Sequence, residues 1–311
     1  MTDIKAISGD EDQHIDLKSR SNMRKLGDRM KSYEEDFTIK NELPFIARID
    51  GHKFSSFTRG FQKPWDKMLE QAMIRTTTDL VTEFKAVTGY TQSDEISLIF
   101  MPKYDQKTGV YRDYPFNGRP LKIASLLAGF TSSRFNYHLQ NIYKGINNNK
   151  ISDPNSVYSG KTIEKILSGS AYFDARVFSL PTNMEIFNYI YWRSSHDCVR
   201  NSISNLARNN FSNKELHKKH SGEMIEMLKS IGIDYETQPS TFKYGTFVKR
   251  EKFLGTGFNP KTEAIINDVI RTRIRLFNTH ITEFSDKILA LLIAKYFNIY
   301  DDIKVEIISN E

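Results

Sequence analysis

The sequence predicts an α+β protein: a split β-α-β-β-α-β unit of ferredoxin-like order, followed by a mainly helical half. Three observations carry this. Short apolar strands at residues 43–50, 89–100 and 172–180 are separated by two long stretches of helical period, 65–87 and 121–143. The middle strand region folds back on itself at Ser93-Asp94, with Ile96, Leu98 and Phe100 alternating after it. Beyond Pro181, apolar residues recur mostly at helical spacing.

In order along the chain, residues 1–22 are expected to be flexible, and 26–35 to be a helix with Leu26 and Met30 on one face. The first strand runs from the Leu43-Pro44 step into Asp50, and residues 54–63 form a loop ended by Pro64. Leu69, Ala72, Met73, Thr76, Leu80, Phe84 and Val87 share one helix face behind Pro64, which suits a helix start. The hairpin 89–101 follows, then an irregular stretch 102–120 and the second long helix. Residues 145–159, with three consecutive asparagines, read as a polar surface insertion before the last strand. Beyond it the pattern predicts helices at 184–209 and 214–230, a strand at 241–249, helices at 263–277 and 284–297, and a short strand at 305–308. These divisions predict a flexible segment 1–22, a mixed α/β domain 23–180, and a mainly helical region 181–311 packed on it.

The composition narrows the function classes. With 39% hydrophobic residues, 21 Phe and 15 Tyr, the chain can bury a large core. No run of about eighteen apolar residues occurs, so no membrane span is expected. One cysteine, Cys198, excludes an intramolecular disulfide and a cysteine-based zinc cluster. Residues 1–13 carry several acids and no apolar stretch, which argues against a secretory signal or a transit peptide. A cytoplasmic location is expected, with a mitochondrial one left open. The net charge of +6 suits a polyanionic partner and equally suits an ordinary basic protein.

Two acids stand where chemistry is expected. Asp50 ends an apolar strand and Asp94 sits in the hairpin turn. Carboxylate oxygens suit Mg²⁺, and a metal pair can clamp both oxygens of a phosphoryl transfer. Each acid alone reads equally as a strand or turn cap. Gly51 favours the catalytic reading, because a glycine lets backbone approach a ligand and offers a free carbonyl. Lys63 and Asp66 lie at a helix start, where phosphate is favoured. Arg193, Asp197 and Arg200 lie one turn apart, a face for RNA backbone, a subunit, or simple ion pairing. No Walker A loop is present, and Gly255-Thr256-Gly257 lacks the setting of a dinucleotide site.

Six ordered segments carry a resemblance: Leu26-Gly27-Asp28-Arg29-Met30-Lys31, Arg48-Ile49-Asp50-Gly51, Lys63-Pro64-Trp65-Asp66, Gln92-Ser93-Asp94-Glu95, Phe173-Asp174-Ala175-Arg176 and Phe242-Lys243-Tyr244-Gly245-Thr246. In these the chain resembles the tRNA-His guanylyltransferase superfamily, the 3′-to-5′ RNA polymerases, and within it the Thg1-like branch. The resemblance implies a polymerase palm and two Mg²⁺ ions on Asp50, the Gly51 carbonyl and Asp94. It implies that the incoming nucleotide lies along Asp50, Gly51, His52, Lys53, Phe54 and Ser55 and against Ser93 and Asp94, with Lys63 on phosphate and Asp66 beside it. RNA contacts are expected at Arg193, Arg200, Asn201 and Lys243. The implied substrates are tRNA and NTPs, with ATP or GTP for 5′ activation, and the implied assembly is a homotetramer.

Three departures from the family pattern bear on the reaction. His52 follows Asp-Gly where the family often has arginine, and Ser55 replaces a histidine of the guanylyltransferases. After Asp197-Cys198 the family's His-Ile-Asn-Asn-Leu-Tyr-Asn becomes Val199-Arg200-Asn201-Ser202-Ile203-Ser204-Asn205. Val199 in the histidine's place favours templated 5′-end repair of truncated tRNA over untemplated G addition to tRNA-His. The rival readings are that G addition, a palm-fold nucleotidyl cyclase, and a tRNA-binding protein without turnover.

Overall fold

The structure is a computed structural model; it describes residues 37–148, 158–261, 263–298 and 303–308. The helix expected at 26–35, the flexible segment 1–22 and most of the insertion at 145–159 lie outside the described residues. Residues from Ile39 to Glu311 form one compact unit.

Strand β1 (Phe45–Gly51), helix α1 (Lys67–Glu83), strands β2 (Thr88–Gln92) and β3 (Glu95–Phe100), helix α2 (Pro120–Asn148) and strand β4 (Phe173–Ser179) reproduce the expected β-α-β-β-α-β order. A helix, α3 (Gly160–Ser168), is added before β4. It ends at Gly169, whose left-handed φ of 65° closes it. Among the described residues the sheet order is β4-β1-β3-β2-β5-β6-β7, every neighbouring pair antiparallel. The last three strands, β5 (Thr246–Asn259), β6 (Ala264–Asn278) and β7 (Glu306–Ile308), come from the C-terminal half.

Side chains of successive strand residues point to opposite faces, so one sheet feeds two cores. Ala47, Ile49, Ile96 and Leu98 pack with Met73, Leu80, Phe135 and Leu139 of α1 and α2. Ile46, Ile99, Tyr90 and Phe247 pack on the other face with Ile186 and Ile190 of α4 (Asn183–Tyr191), and with Leu291 and Leu292 of α7 (Asp286–Ile293). A smaller core joins Ile203 and Leu206 of α5 (Cys198–Asn210) to Leu228 of α6 (Ser221–Ser230).

The C-terminal half corrects several expectations. Residues 263–277, expected helical, form β6, paired with β5 along most of its length. Ile265, Ile266, Val269, Ile270, Thr272 and Ile274 are β-branched and suit a pleated surface better than a helix. The strand expected at 241–249 splits into a short helix, Ser240–Tyr244, and the start of β5. The single helix expected at 184–209 is α4 and α5 joined by a π-helical turn at Trp192–Asp197. The helix expected from 214 begins only at Ser221, where His220 and Glu223 form a capping box.

Lys249 ties these parts together. Its side chain is fully buried. Its ammonium donates to Thr88 Oγ1 at 2.7 Å, to Val87 O at 3.2 Å, and to the carbonyls of Leu292 and Ala294. Burial holds the Lys249 pKa well below the ordinary lysine value, so the group serves the C-terminal carbonyls of α7 chiefly as a hydrogen-bond donor. Lys249→Met keeps the volume and takes this donor from Val87 O and Ala294 O, while Leu292 O keeps the Thr88 hydroxyl at 2.6 Å. It is expected to lower unfolding free energy by about 2–3 kcal/mol, read as the denaturant midpoint.

Candidate active site

The antiparallel register sets Asp50 directly opposite Glu95 on β3 and opposite Asp174 on β4. Directly opposed residues project from the same face of a sheet, so three carboxylates line up across it. The hairpin between β2 and β3 is closed by Ser93 and Asp94, with Ser93 at a left-handed φ of 54°. Asp94 is fixed to β1 by its backbone: Gly51 N–H donates to Asp94 O at 3.1 Å. Ser93 Oγ donates to Asp94 Oδ1 at 2.9 Å.

Gly51 is required for a steric reason. A Cβ there would lie 2.5 Å from the Phe54 ring, which is buried in the core beside Phe135 and Phe173. The bare position thus makes room for the Phe54 ring directly beneath the acid.

Both acids are held in a form that invites a cation. Burial, then the Asp174 carboxylate, raises the pKa of Asp50. Burial raises that of Asp94, with the Asp50 charge adding to it and the Ser93 hydroxyl opposing it. Two desolvated carboxylates that repel each other are stabilised by a divalent ion. Among the described residues no group of three or more His, Cys, Asp or Glu side chains converges as a ready-made metal cage. The donor set that fits Mg²⁺ is Asp50, Asp94 and the Gly51 carbonyl, with the remaining positions left to water and phosphate oxygens, as this ion prefers.

Two cavities meet at Asp94. One, of about 310 Å³, is lined by Ser55, Lys63, Trp65, Glu70, Thr241 and Phe242 among others. The other, of about 510 Å³, is lined by Asp50, Glu95, Arg200, Asn201, Ser204 and Arg208 among others. Gln92, Ser93, Asp94 and Asn205 belong to both walls.

The expected site residues fall into distinct groups. Asp50 and Asp94 come together, with Ser93 beside them; Ser55, Lys63 and Phe54 line the first cavity. His52 and Lys53 line neither cavity, and the His52 ring stacks on Tyr172 at 4.8 Å. Asp66 is buried as the N-cap of α1, accepting from Met68 N, Leu69 N, Gln62 N and Tyr158 OH. Its own carboxylate thus caps the helix N-terminus that was expected to hold phosphate, and Asp66 also lines the first cavity.

The four expected RNA contacts divide the same way. Arg193, Arg200 and Asn201 line the polar cavity. Arg193 is buried, bound to Glu95 and Asp197, so it braces the strand partner of Asp50. Lys243 is buried and donates to Glu236 O and Oε2 at 2.7 and 3.1 Å. Cys198 is buried, its thiol donating to Lys243 O and pushed up to about 12 by burial, which leaves it inert.

Two charged lining residues were not anticipated. Arg208 continues the Arg200-Ser204 face at i+4 spacing, a signal legible in the sequence. Glu70 lies in the first turn of α1, and burial raises its pKa against a hydrogen bond from Thr241. Its partner lies far along the chain, so no local signal marks it.

A family profile described as "Thg1: tRNAHis guanylyltransferase" matches residues 27–181. An uncharacterized protein of Acanthamoeba polyphaga mimivirus is 36% identical over 282 residues, covering 88% of this chain and 91% of that protein. The chain belongs to the tRNA-His guanylyltransferase superfamily. The tRNA(His) guanylyltransferase of Saccharomyces cerevisiae is 26% identical over 240 residues, covering 71% of this chain and 89% of that enzyme. A bacterial tRNA(His) guanylyltransferase (Thg1)-like protein solved in complex with ATP aligns with TM-score 0.58 and 29% identity, over 73% of this chain and 87% of that one. A bacterial Thg1-like protein in complex with GTP aligns with TM-score 0.56 and 27% identity, over 81% and 90%. The superfamily is one of nucleotidyltransferases, and this chain is an enzyme of that class.

Two outcomes follow from the site. A carboxyl whose folded pKa is raised costs stability above that pKa, and the cost disappears as pH falls below its unfolded value of 3.8. Metal-free Asp94→Asn protein is therefore expected to melt above wild type at pH 7, with the gap closing towards pH 4; melting scans in EDTA across that range measure it. Gly51→Ala is expected to slow nucleotide transfer at least about 100-fold, because displacing Phe54 moves the chain at Asp50 by a distance that orientation-sensitive chemistry does not tolerate. Single-turnover kinetics with circular dichroism as a fold control tests that.

Proposed function

We propose that this chain adds nucleotides in the 3′-to-5′ sense to the 5′ end of truncated tRNA, each base chosen by pairing with the opposite strand. The observation that carries this reading is the Gly51–Asp94 backbone bond, which holds two acids at the common wall of two cavities. Asp50, Asp94 and the Gly51 carbonyl are the groups that would hold two Mg²⁺ ions. Bound there, the ions would lower the pKa of the attacking hydroxyl and neutralise phosphate charge.

The incoming NTP occupies the cavity of Ser55, Lys63 and Ser93, with Lys63 beside its phosphates. The activated 5′ end, a triphosphate or an adenylylated monophosphate, enters the polar cavity, where Arg200 and Arg208 face its phosphates and Asn201 supports them. The 3′-hydroxyl oxygen of the NTP attacks the 5′-terminal phosphorus. A phosphodiester forms, pyrophosphate or AMP leaves, and the hydroxyl proton passes to solvent. The ATP and GTP complexes of the bacterial relatives support nucleotide use in activation.

Val199 supports templated addition over the dedicated tRNA-His reaction. Assembly as a homotetramer is part of the same reading. Leu254, Phe258, Ile265 and Ile270 are 63–71% exposed on the β5–β6 ribbon. A two-stranded ribbon with bare apolar residues gains stability when covered.

The test uses purified protein, Mg²⁺ and labelled NTPs, with a 5′-truncated tRNA carrying each base opposite the gap, beside full-length tRNA-His. Incorporation is expected to follow the opposing base. G addition to tRNA-His alone, regardless of pairing, would replace this reading with the guanylyltransferase one. Cyclic nucleotide made without RNA would replace it with a cyclase.

A further inference from the structure

At the opposite end of the sheet from Asp94 lies a cavity of about 450 Å³ that the catalytic reading does not use. It opens where β2 begins and β3 ends, about five strand residues, or roughly 15–20 Å, from the acids. Its floor is apolar, and four cations line it: Lys85, Lys103, Arg250 and Lys295. A fifth, Lys252, stands beside it, with Nζ 4.6 Å from the centre of the Tyr296 ring; Lys295 Nζ lies 5.2 Å from the same ring.

No carboxylate lines this cavity. Among the described residues none of the five cations forms an ion pair, and the neighbouring ribbon acid, Glu251, is committed to Arg273 and Arg275. Glu83 and Asp113 lie in the adjoining groove, which shares Lys85 and Lys103. Arg250 is fixed by donating to Val81 O and Ala86 O, both at 2.9 Å, at the C-terminal end of α1. It therefore stands as a positioned charge with no acid to balance it. Two ammonium groups over one ring, beside a fixed guanidinium, repel one another until an anion lies between them.

We infer that this cavity is a second docking site for RNA, taking backbone phosphates on Lys103, Lys295 and Arg250 with a sugar or base edge over the apolar floor. Phosphate is the anion that lysines recognise as point charges without bidentate geometry. The alternation of β5 places Arg250 and Lys252 on one face of the strand, so the charges form a track. A track suits an extended polyanion, whereas a free nucleotide held there could not reach Asp50 or Asp94. The inference rests on the reading that the chain acts on RNA.

The test compares wild type with the Lys103→Glu/Lys295→Glu double variant. Both residues are exposed, so the change is expected to leave the fold intact. A control, Lys122→Glu/Lys161→Glu, changes net charge equally at exposed sites elsewhere. Fluorescence anisotropy of labelled tRNA is measured from 50 to 300 mM KCl, with melting curves and NTP affinity alongside. The first variant is expected to bind tRNA about tenfold or more weakly, with a salt slope shallower by about two. The control and the NTP affinity are expected to stay near wild type.

Unchanged tRNA affinity and slope would overturn the inference, as would an equal loss in the control. Loss of NTP affinity with tRNA binding intact would assign the cavity to free nucleotide and overturn it too. Lys103→Gln/Lys295→Gln guards against misfolding, with a smaller loss in the same direction expected. The readout is binding, so RNA bound through these lysines without any nucleotide addition would refute the proposed reaction and leave this site standing.

Discussion

The backbone bond from Gly51 N–H to Asp94 O is the constraint on which the site depends. It joins the end of one strand to the turn of a neighbouring hairpin. It thereby holds together two carboxylates that burial and mutual repulsion would otherwise drive apart. Antiparallel register does the rest: once β1 pairs with β3, Asp50 must face Glu95, and a slip of one residue would turn every one of these side chains to the other face. The acids are destabilised alone and become favourable only with a cation, a pattern expected of a site whose function costs stability.

The C-terminal half serves this centre from the face of the sheet that the acids share, the one turned away from α1 and α2. The π-helical turn at Trp192–Asp197 brings buried Arg193 onto Glu95 and Asp197, in keeping with the occurrence of π-turns at functional sites. The next helix then presents Arg200, Ser204 and Arg208 in line along the polar cavity. Ser97 and Tyr189 share a hydrogen bond at 2.8 Å that fixes α4 to β3, and Lys249 fixes α7 to β2. Lys249 is enclosed and serves cohesion, whereas Arg193, Arg200 and Arg208 all line the polar cavity, Arg193 while held by Glu95 and Asp197.

The elements around the acids were legible because their signals are local. Period-two alternation marks β3, helical spacing marks α1 and α2, and an acid followed by glycine marks the end of β1. The β6 strand was not legible. Its apolar residues also satisfy helical spacing, its outer half is exposed on both faces, and its pairing partner β5 was expected only as far as Lys249. The role of Asp66 needed Tyr158, which lies 92 residues away, and the enclosure of Arg193 needed Glu95. Contacts of that separation exist only once the fold does.

The most direct test of the two-acid centre is the single-turnover rate of nucleotide addition to a triphosphorylated, 5′-truncated tRNA across a Mg²⁺ titration, for wild type, Asp50→Asn and Asp94→Asn. Each variant is expected to lose about a thousandfold or more, equivalent to several kcal/mol of transition-state stabilisation, while staying folded and binding tRNA. A folded variant of either acid that keeps a rate within about tenfold of wild type, with the same Mg²⁺ dependence, would contradict the account.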